Sequence, residues 1–357
     1  MKLEKELKKF ILFCNKQLNK FLCTELEENK TISVDSRNLI LNIKQYCLAG
    51  GKKIRPFLFY LGFSGFNKNE NKLDAKKTSI YCEIIHLSLL CLDDIMDRSE
   101  IRHQEATIHT QQKKLLKEKY KIRDEHYSNS MGMLASLILK NLASKYLLKQ
   151  KISQNLKEKI FLYYNQIFNN TCFGQVLDFC LPLKKLNSIQ KEDIIKNYSY
   201  KTAKYTIEAP MTAGAILAKA NQKEFTKIKS FASELGIAYQ IQDDILGMFS
   251  KTTKIGKSNI SDLEEGKITI LIWYAFSLAN KDDKKKIEKL LKKEKNNEKD
   301  LTNIQKIIRQ TGALEKTEEM MKNKFKNAKK LLKKINFNQK TKIIFQELIN
   351  YLENRQY

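Results

Sequence analysis

Five aspartates in two short segments are the side chains of this sequence best suited to chemistry. In LLCLDDIMDRSEIR (89–102), the apolar run IIHLSLLCL ends in Asp93, Asp94 and Asp97. In YQIQDDILGMF (239–249), Asp243 and Asp244 follow the apolar stretch GIAYQI. On a helix, Asp93 and Asp97 share a face, and Asp94 lies three residues from Asp97. Two carboxylates about 4 Å apart repel by roughly 4 kcal/mol at an effective dielectric of about 20, and only Arg98 is adjacent to the first group. An isolated acidic trio usually marks a solvent-washed helix end. Two such groups, each ending an apolar wall, point instead to an acidic rim over an oily cavity. Magnesium is usually held by one or two carboxylates, with substrate phosphates completing its shell. The expected chemistry is a magnesium cage for a phosphorylated ligand with an apolar tail.

The basic residues suit that ligand. GGKKIRP (50–56) sets Lys52, Lys53 and Arg55 at a helix junction, and Arg102 follows the first acidic group. Three of the seven Arg (55, 98, 102) lie in these two segments. Lys201 in YKTAKYT, Lys257 in KIGKSN and Lys267 in EEGKIT are weaker candidates, because a Lys in so Lys-rich a chain is usually a surface residue.

Helices must position these groups. In RNLILNIKQYCLAGG (37–51), Leu39, Ile43 and Cys47 fall on one stripe, and Gly50-Gly51 is expected to end the helix as a C-cap. A second helix is expected after Pro56, and a third from about Asn71 to Asp97. The polar stretch 110–130 reads as a connecting loop or a short exposed helix. Further helices are expected near 130–150, 153–181, 190–220, 223–249, 263–280 and 283–294, with two or three Lys-rich amphipathic helices in the last 55 residues. No internal repeat, Pro- or Ser-rich linker or strand run bounded by turns stands out. The expectation is one all-α domain over 1–357, with a motif-bearing core of about 45–280 and a Lys-rich helical part over 281–357.

Composition agrees. The 357 residues are 42% hydrophobic, enough for a large core, and contain only 12 Gly and 3 Pro, which favours long helices over a many-stranded sheet. The net charge is +26, but Lys supplies 59 of the 66 basic residues, spread along the chain. Base-edge readout leans on the rigid fork of Arg, so specific nucleic-acid binding is not expected. A positive field would still draw in anionic substrates or lipid. The seven Cys show no CxxC or metal-site spacing and read as reduced thiols of a cytoplasmic protein. The charged start MKLEKELKKF does not read as a signal peptide. The apolar run ITILIWYAFSLA (268–279) is 12 residues long, short of the roughly 20 needed to span a bilayer.

Taken in order, the motifs resemble those of the trans-polyprenyl diphosphate synthases, the farnesyl and geranylgeranyl diphosphate synthase family. GGKKIRP resembles the family's GGKRxRP, and EIIHLSLLCLDDIMDRSEIR its first aspartate-rich helix with DDxxD. FGQVLDF (173–179) resembles the GQxxD segment, and KTAKYTIEAPMTAGAILA the KT segment. YQIQDDILGMF and the lysines after it resemble the second aspartate-rich region. The resemblance covers about two thirds of the chain; 1–40 and 280–357 carry no such motif.

That resemblance implies an all-α isoprenoid-synthase bundle around a deep central cavity, normally a homodimer. It implies Mg2+, three ions bridging the allylic diphosphate. Asp93, Asp97 and Asp243 would ligate metal, with Asp94 and Asp244 supporting them. Arg102, Lys201 and Lys257 would hold the allylic diphosphate, with Gln175, Asp178 and Lys267 nearby. Lys52, Arg55 and His86 would hold isopentenyl diphosphate, and Thr202 and Gln240 would flank the developing allylic cation. The implied reaction ionises the allylic carbon–oxygen bond in a dry cavity. The isopentenyl double bond then attacks the cation, and a proton is lost to the departed diphosphate.

The sequence departs from the family pattern after the first acids. Arg102-His103-Gln104 stands where Arg-Arg-Gly is usual, and Ala106 where Pro is common. His103 would then replace a cationic ligand of isopentenyl diphosphate; neutral imidazole keeps a hydrogen bond but loses the fixed charge. Leu92 replaces a frequent His, and Gly247 ends the second acidic motif in place of Asp, as in archaeal-type geranylgeranyl synthases. The expectation is an active enzyme with weakened isopentenyl diphosphate binding. Family product length is set by side chains before the first acids, here Ser88 and Leu89. Ser88 lies five residues before Asp93, about 7.5 Å along a helix, and its small side chain is expected to leave room for a product beyond fifteen carbons, geranylgeranyl diphosphate first. The rival functions are a non-catalytic partner subunit, which His103 favours and the retained acids oppose; a terpene cyclase, opposed by GGKKIRP; and a basic nucleic-acid-binding protein.

Overall fold

The computed structural model describes residues 2–67, 71–250, 261–293 and 295–354. It is helical almost throughout, as the periodicity predicts. Its chain divides into two compact units, 1–161 and 162–357.

The first unit contains α1 (Lys2–Asn29), α2 (Val34–Leu48), α3 (Ile54–Phe66), α4 (Lys72–Thr78), α5 (Ile80–Met96), α6 (Ile108–Tyr120), α7 (Glu125–Leu148) and the start of α8 (Gln154–Cys180). α3 is apolar on nearly every face and is buried through Phe57, Leu58, Phe59 and Leu61, the pattern of a helix inside a core. α5 packs along α7 and buries Tyr81, Ile84, Ile85, Leu87, Ser88, Cys91 and Asp94. Its less buried positions include His86, Leu89, Asp93 and Asp97, spaced three or four apart and so on one face.

As expected, the first helix with a glycine pair at its end stops there: α2 ends at Leu48 with Ala49 as its C-cap, and Gly50 and Gly51 follow at φ 146° and 94°. Local detail differs from expectation in a hairpin after α5 and in the burial of one face of α6. A two-stranded hairpin, β1 (Ile101–Arg102) with β2 (Glu105–Ala106), follows α5. Its two-residue turn is His103-Gln104, both at positive φ (52° and 68°). Such turns normally carry Asn-Gly or Asp-Gly, so sequence pattern did not mark this one. The stretch expected to be exposed from 110 onward is largely α6, which buries Ile108, Gln112 and Leu116 at four-residue spacing beneath its Lys-rich outer face.

The second unit holds the rest of α8, then α9 (Lys191–Asn197), a π-helical segment (Tyr198–Glu208), α10 (Ala209–Leu217), α11 (Gln222–Phe249), α12 (Ser261–Glu264) and α13 (Ile270–Leu278). The Lys-rich end forms α14 (Lys281–Leu291), α15 (Glu298–Gln310), α16 (Ala313–Lys334) and α17 (Gln339–Glu353). α11 packs against the π-helical segment and α16. Two glycines permit close approach to that segment. A Cβ on Gly174 of α8 would lie 2.5 Å from the Lys201 nitrogen, and one on Gly236 of α11 would lie 2.4 Å from the Ala203 Cα. Real side chains do not tolerate such distances, so the two glycines seat the segment that carries Lys201 and Thr202. Among the described residues no helix is long and apolar enough to cross a membrane, and none of the seven cysteines is in a disulfide.

Candidate active site

In the first unit, α5 delivers its acids to the hairpin. Asp94 is 1% exposed and accepts hydrogen bonds on both oxygens: from Arg102 Nε to Oδ1 at 2.6 Å and from the Tyr46 hydroxyl to Oδ2 at 2.6 Å. Arg102 Nη2 lies 2.5 Å from the same Oδ1 and 3.3 Å from Asp93 Oδ2. Burial pushes the Asp94 carboxyl above its usual range, against the lowering effect of Arg102 and Tyr46. Asp97 is the C-cap residue of α5, its N–H bonded to the Asp93 carbonyl at 2.8 Å.

Beside these acids is a cationic group. His103 rests on the GGKKIRP turn: a Cβ on Gly50 would lie 3.4 Å from His103 Cβ, and one on Gly51 would lie 3.4 Å from Nε2. His86, on the accessible face of α5, is held well below the usual imidazole range by burial and then by the charges of Arg55, Arg102, Lys53 and His103. His103 is lowered too, by its protein surroundings first and then by Arg102 and Lys53. Both imidazoles are therefore neutral near pH 7. The structure thus gathers Gly50, Gly51, Arg55, His86, Arg102 and His103, while Lys52 is exposed. Lys53, grouped with them by sequence, turns inward at φ 45° and forms a buried ion pair with Glu83 at 3.1 Å.

Ser88 does not open the space expected of it. It is 0% exposed where α5 meets α7, its hydroxyl bonding the Ile85 carbonyl at 2.8 Å and its own carbonyl accepting from Ser136 at 2.8 Å. The reason is angular. Five residues turn a helix by about 500°, which leaves Ser88 about 140° around from Asp93, whereas Leu89, four residues back, is only about 40° away. Leu89 shares the accessible face.

The second unit builds a separate polar network. Lys201 Nζ lies 2.5 Å from Asp178 Oδ2, and Asn197 donates to Asp178 Oδ1 at 2.7 Å. Gln175 stands one turn earlier on α8, partly exposed. Thr202 donates to Gln240 Oε1 at 2.6 Å, and Gln240 Nε2 donates to Asp244 Oδ1 at 2.9 Å. The Tyr198 hydroxyl donates to Asp244 Oδ2 and accepts the Ile270 N–H at 2.9 Å. Asp243 precedes Asp244 on α11 and is partly exposed. Lys267 pairs with Glu265 at 2.5 Å. Lys257 lies outside the described residues.

Four residues that sequence reasoning did not single out complete these networks: Tyr46, Glu83, Asn197 and Tyr198. Glu83 left a signal, being a lone acid inside the apolar run IYCEIIHL. Tyr46 and Tyr198 left none, since a tyrosine on an apolar stripe is ordinarily core. In neither unit do three His, Cys, Asp or Glu side chains among the described residues converge on a point that could hold a metal alone. Hard carboxylate donors with an incomplete protein shell suit an ion that takes its remaining ligands from phosphate and water.

The comparisons with known proteins agree with this fold. A profile of the polyprenyl synthetase family matches residues 37–308. A short chain isoprenyl diphosphate synthase of Methanocaldococcus jannaschii is 27% identical over 275 residues, 76% of this chain and 77% of that protein. A geranylgeranyl diphosphate synthase of Sulfolobus acidocaldarius is 28% identical over 247 residues, 68% of each chain. The crystal structure of geranylgeranyl pyrophosphate synthase from Corynebacterium glutamicum, complexed with isoprenyl diphosphate and magnesium, superposes with a TM-score of 0.90 at 24% identity, covering 98% of this chain and 99% of that one.

Proposed function

This chain belongs to the polyprenyl synthetase family and is a prenyltransferase, and on that premise we propose that it condenses isopentenyl diphosphate with an allylic diphosphate, releases diphosphate, and makes geranylgeranyl diphosphate as its principal product. The observation that carries this assignment is the arrangement around the hairpin. Arg102 is bound to both acids of the first pair, and His103, the next residue, rests on the Gly50-Gly51 turn. Acidic and cationic side chains suited to two diphosphates thus meet in one short stretch.

Asp93 and Asp97 on α5, with Asp243 on α11, are the proposed magnesium ligands. When bound, magnesium would supply positive charge for the departing diphosphate. Arg102 and Lys201 add fixed charge to the allylic diphosphate, with Lys201 oriented by Asp178. Arg55, His86 and His103 hold the diphosphate of the second substrate. Thr202 has spent its one proton on Gln240, so its oxygen can turn only lone pairs toward an allylic cation. The amide of Gln240 cannot reverse, because its nitrogen serves Asp244. Asp93 and Asp243 are proposed to serve one diphosphate, so neutralising either blocks the same step.

Leu89, on the face of Asp93, is the proposed chain-length side chain. The name of the Sulfolobus relative favours a twenty-carbon product. Exposed apolar residues of α7, Met133, Leu134 and Leu137, support a homodimer. The deciding experiment incubates the purified protein with Mg2+, isopentenyl diphosphate and each allylic primer, and measures diphosphate release and product length. Geranylgeranyl diphosphate is expected from a farnesyl primer. Farnesyl diphosphate as sole product, without elongation of added farnesyl diphosphate, would overturn the product assignment. A folded protein that releases no diphosphate would favour the non-catalytic subunit.

A further inference from the structure

We propose that Tyr198 is a positioning residue for the second acidic pair: it sets the orientation of the Asp244 carboxylate and ties it to the N-terminus of α13. This rests on the assignment of that pair to diphosphate binding. Tyr198 opens the π-helical segment and is 5% exposed. Its hydroxyl makes two contacts of fixed sense. It accepts the N–H of Ile270, the first residue of α13, at 2.9 Å, and it donates to Asp244 Oδ2. A phenol has a single proton, and the Ile270 N–H already occupies the acceptor side, so the proton is directed to the carboxylate. Burial, then the charge of Asp244, keeps that phenol protonated well above its usual range.

The other oxygen of Asp244 takes the Gln240 amide. Both carboxylate oxygens are therefore engaged, and the plane of the group is set from two sides. Gln240 lies one turn back on α11 and would follow any movement of that helix. Tyr198 comes from a different element and anchors the carboxylate to α13. The Ile270 N–H is one of the first-turn donors that a helix leaves without an internal partner. Thr269, the N-cap, takes another of these donors, the Ile272 N–H, at 3.3 Å. The chain Ile270 N–H, Tyr198 hydroxyl, Asp244 carboxylate thus links a first-turn donor of a nine-residue helix to the acid. Lys201 and Thr202 lie three and four residues after Tyr198 in the same π-helical segment. One tyrosine therefore fixes the acid relative to the cation and hydroxyl that act beside it.

The test is Tyr198→Phe, which keeps the ring and removes the hydroxyl. Manganese uptake in the presence of inorganic diphosphate, measured by calorimetry, reads the site without turnover. Loss of one hydrogen bond to a charged group should weaken it about tenfold, while the KM for isopentenyl diphosphate stays within about twofold. In an Asp244→Asn background the same substitution should add less than about twofold, because Tyr198 acts through Asp244. A folded variant with unchanged metal–diphosphate affinity, or with the full loss retained in the Asn background, overturns the role. If Tyr198→Phe does not fold, Ile270→Pro removes the N–H given to the phenol along with a buried side chain, and Ile270→Ala, which keeps the N–H, is the control for the lost side chain and the reference for its effect. Proline is tolerated at a first helical position, and Thr269 already has the extended backbone it requires (φ −84°, ψ 165°). That variant should weaken uptake about threefold in the same assay, for one neutral hydrogen bond; no change overturns the role. If wild-type protein binds no diphosphate, the functional assignment falls and this role with it. If wild type binds and Tyr198→Phe binds equally well, this role falls alone.

Discussion

Asp94 on α5 and Asp244 on α11 are the second members of two acidic pairs, and each accepts a tyrosine hydroxyl, from Tyr46 and Tyr198. On the other oxygen the two acids are met differently. Asp94 meets the Arg102 guanidinium at 2.5 to 2.6 Å, whereas Asp244 meets the neutral Gln240 amide at 2.9 Å. Burial accounts for the difference. Asp94 is 1% exposed, and a carboxylate removed from water needs a counter-charge. Asp244 stays partly exposed, so water shares the solvation of its charge. The source of the partner differs too. Gln240 lies four residues before Asp244 on one helix, so helical geometry alone supplies it. Arg102 reaches back to Asp94 only because the chain leaves α5 and folds into the hairpin. The cation on the buried acid thus depends on tertiary structure, whereas one of the donors to the partly solvated acid comes from its own helix.

Removing the second partner on each side should expose this difference most strongly. Arg102→Leu leaves a buried carboxylate without its cation and should cost about 3 kcal/mol of stability in urea unfolding. Gln240→Leu should cost less, about 1.5 to 2 kcal/mol, for one hydrogen bond to a partly solvated carboxylate and one to Thr202. Equal losses would mean that the two acids are not held differently.

The cationic side of the first unit can be sharpened through His103. Its pKa lies below the usual 6.5, so the folded protein binds this proton less tightly than the unfolded chain does. The stability it contributes is present above pH 6.5 and is lost as pH falls through the lowered value. A bound diphosphate reverses that preference, so binding should take up a proton. The KM for isopentenyl diphosphate should then rise between about pH 6 and pH 8. His103→Arg should lower KM at pH 8 by up to about tenfold, the value of about one charge-assisted hydrogen bond, and flatten the profile. A KM that is flat in wild type, or unchanged in the variant, would remove His103 from the site.

The smallest effect is expected at Tyr46. Tyr46→Phe leaves Arg102 on Asp94, so it should cost about 1 kcal/mol of stability and change metal–diphosphate affinity by less than about threefold. Tyr198→Phe leaves the neutral Gln240 amide, not a guanidinium, on the other oxygen of Asp244, so it should do more. A Tyr46→Phe variant that loses more than Tyr198→Phe would invert the comparison.

Much of this was legible from the residues. The acids of α5 and α11, the GGKKIRP turn and the KT segment carry residue types whose chemistry declares itself, and helical spacing shows which of them share a face. Three features were not legible. The His103-Gln104 turn lacks the Asn or Gly that usually marks positive φ, so the hairpin stayed hidden. Lys52 and Lys53 look alike as text, yet a left-handed backbone at Lys53 turns one of them onto Glu83. Ser88 and Leu89 are neighbours in sequence, but one residue of rotation separates the wall of α7 from the accessible face of α5.

By itself, then, the sequence determined that helices would form, that acids would end two apolar faces, and which family of motifs they belong to. These follow from side-chain type and from a period of about 3.6 residues per turn, both local properties. Tertiary structure alone decided which tyrosine meets which carboxylate, that Arg102 returns to Asp94, and that Lys53 is buried. Those pairings depend on where distant segments come to lie, and on the free-energy cost of leaving a polar group dry without a partner.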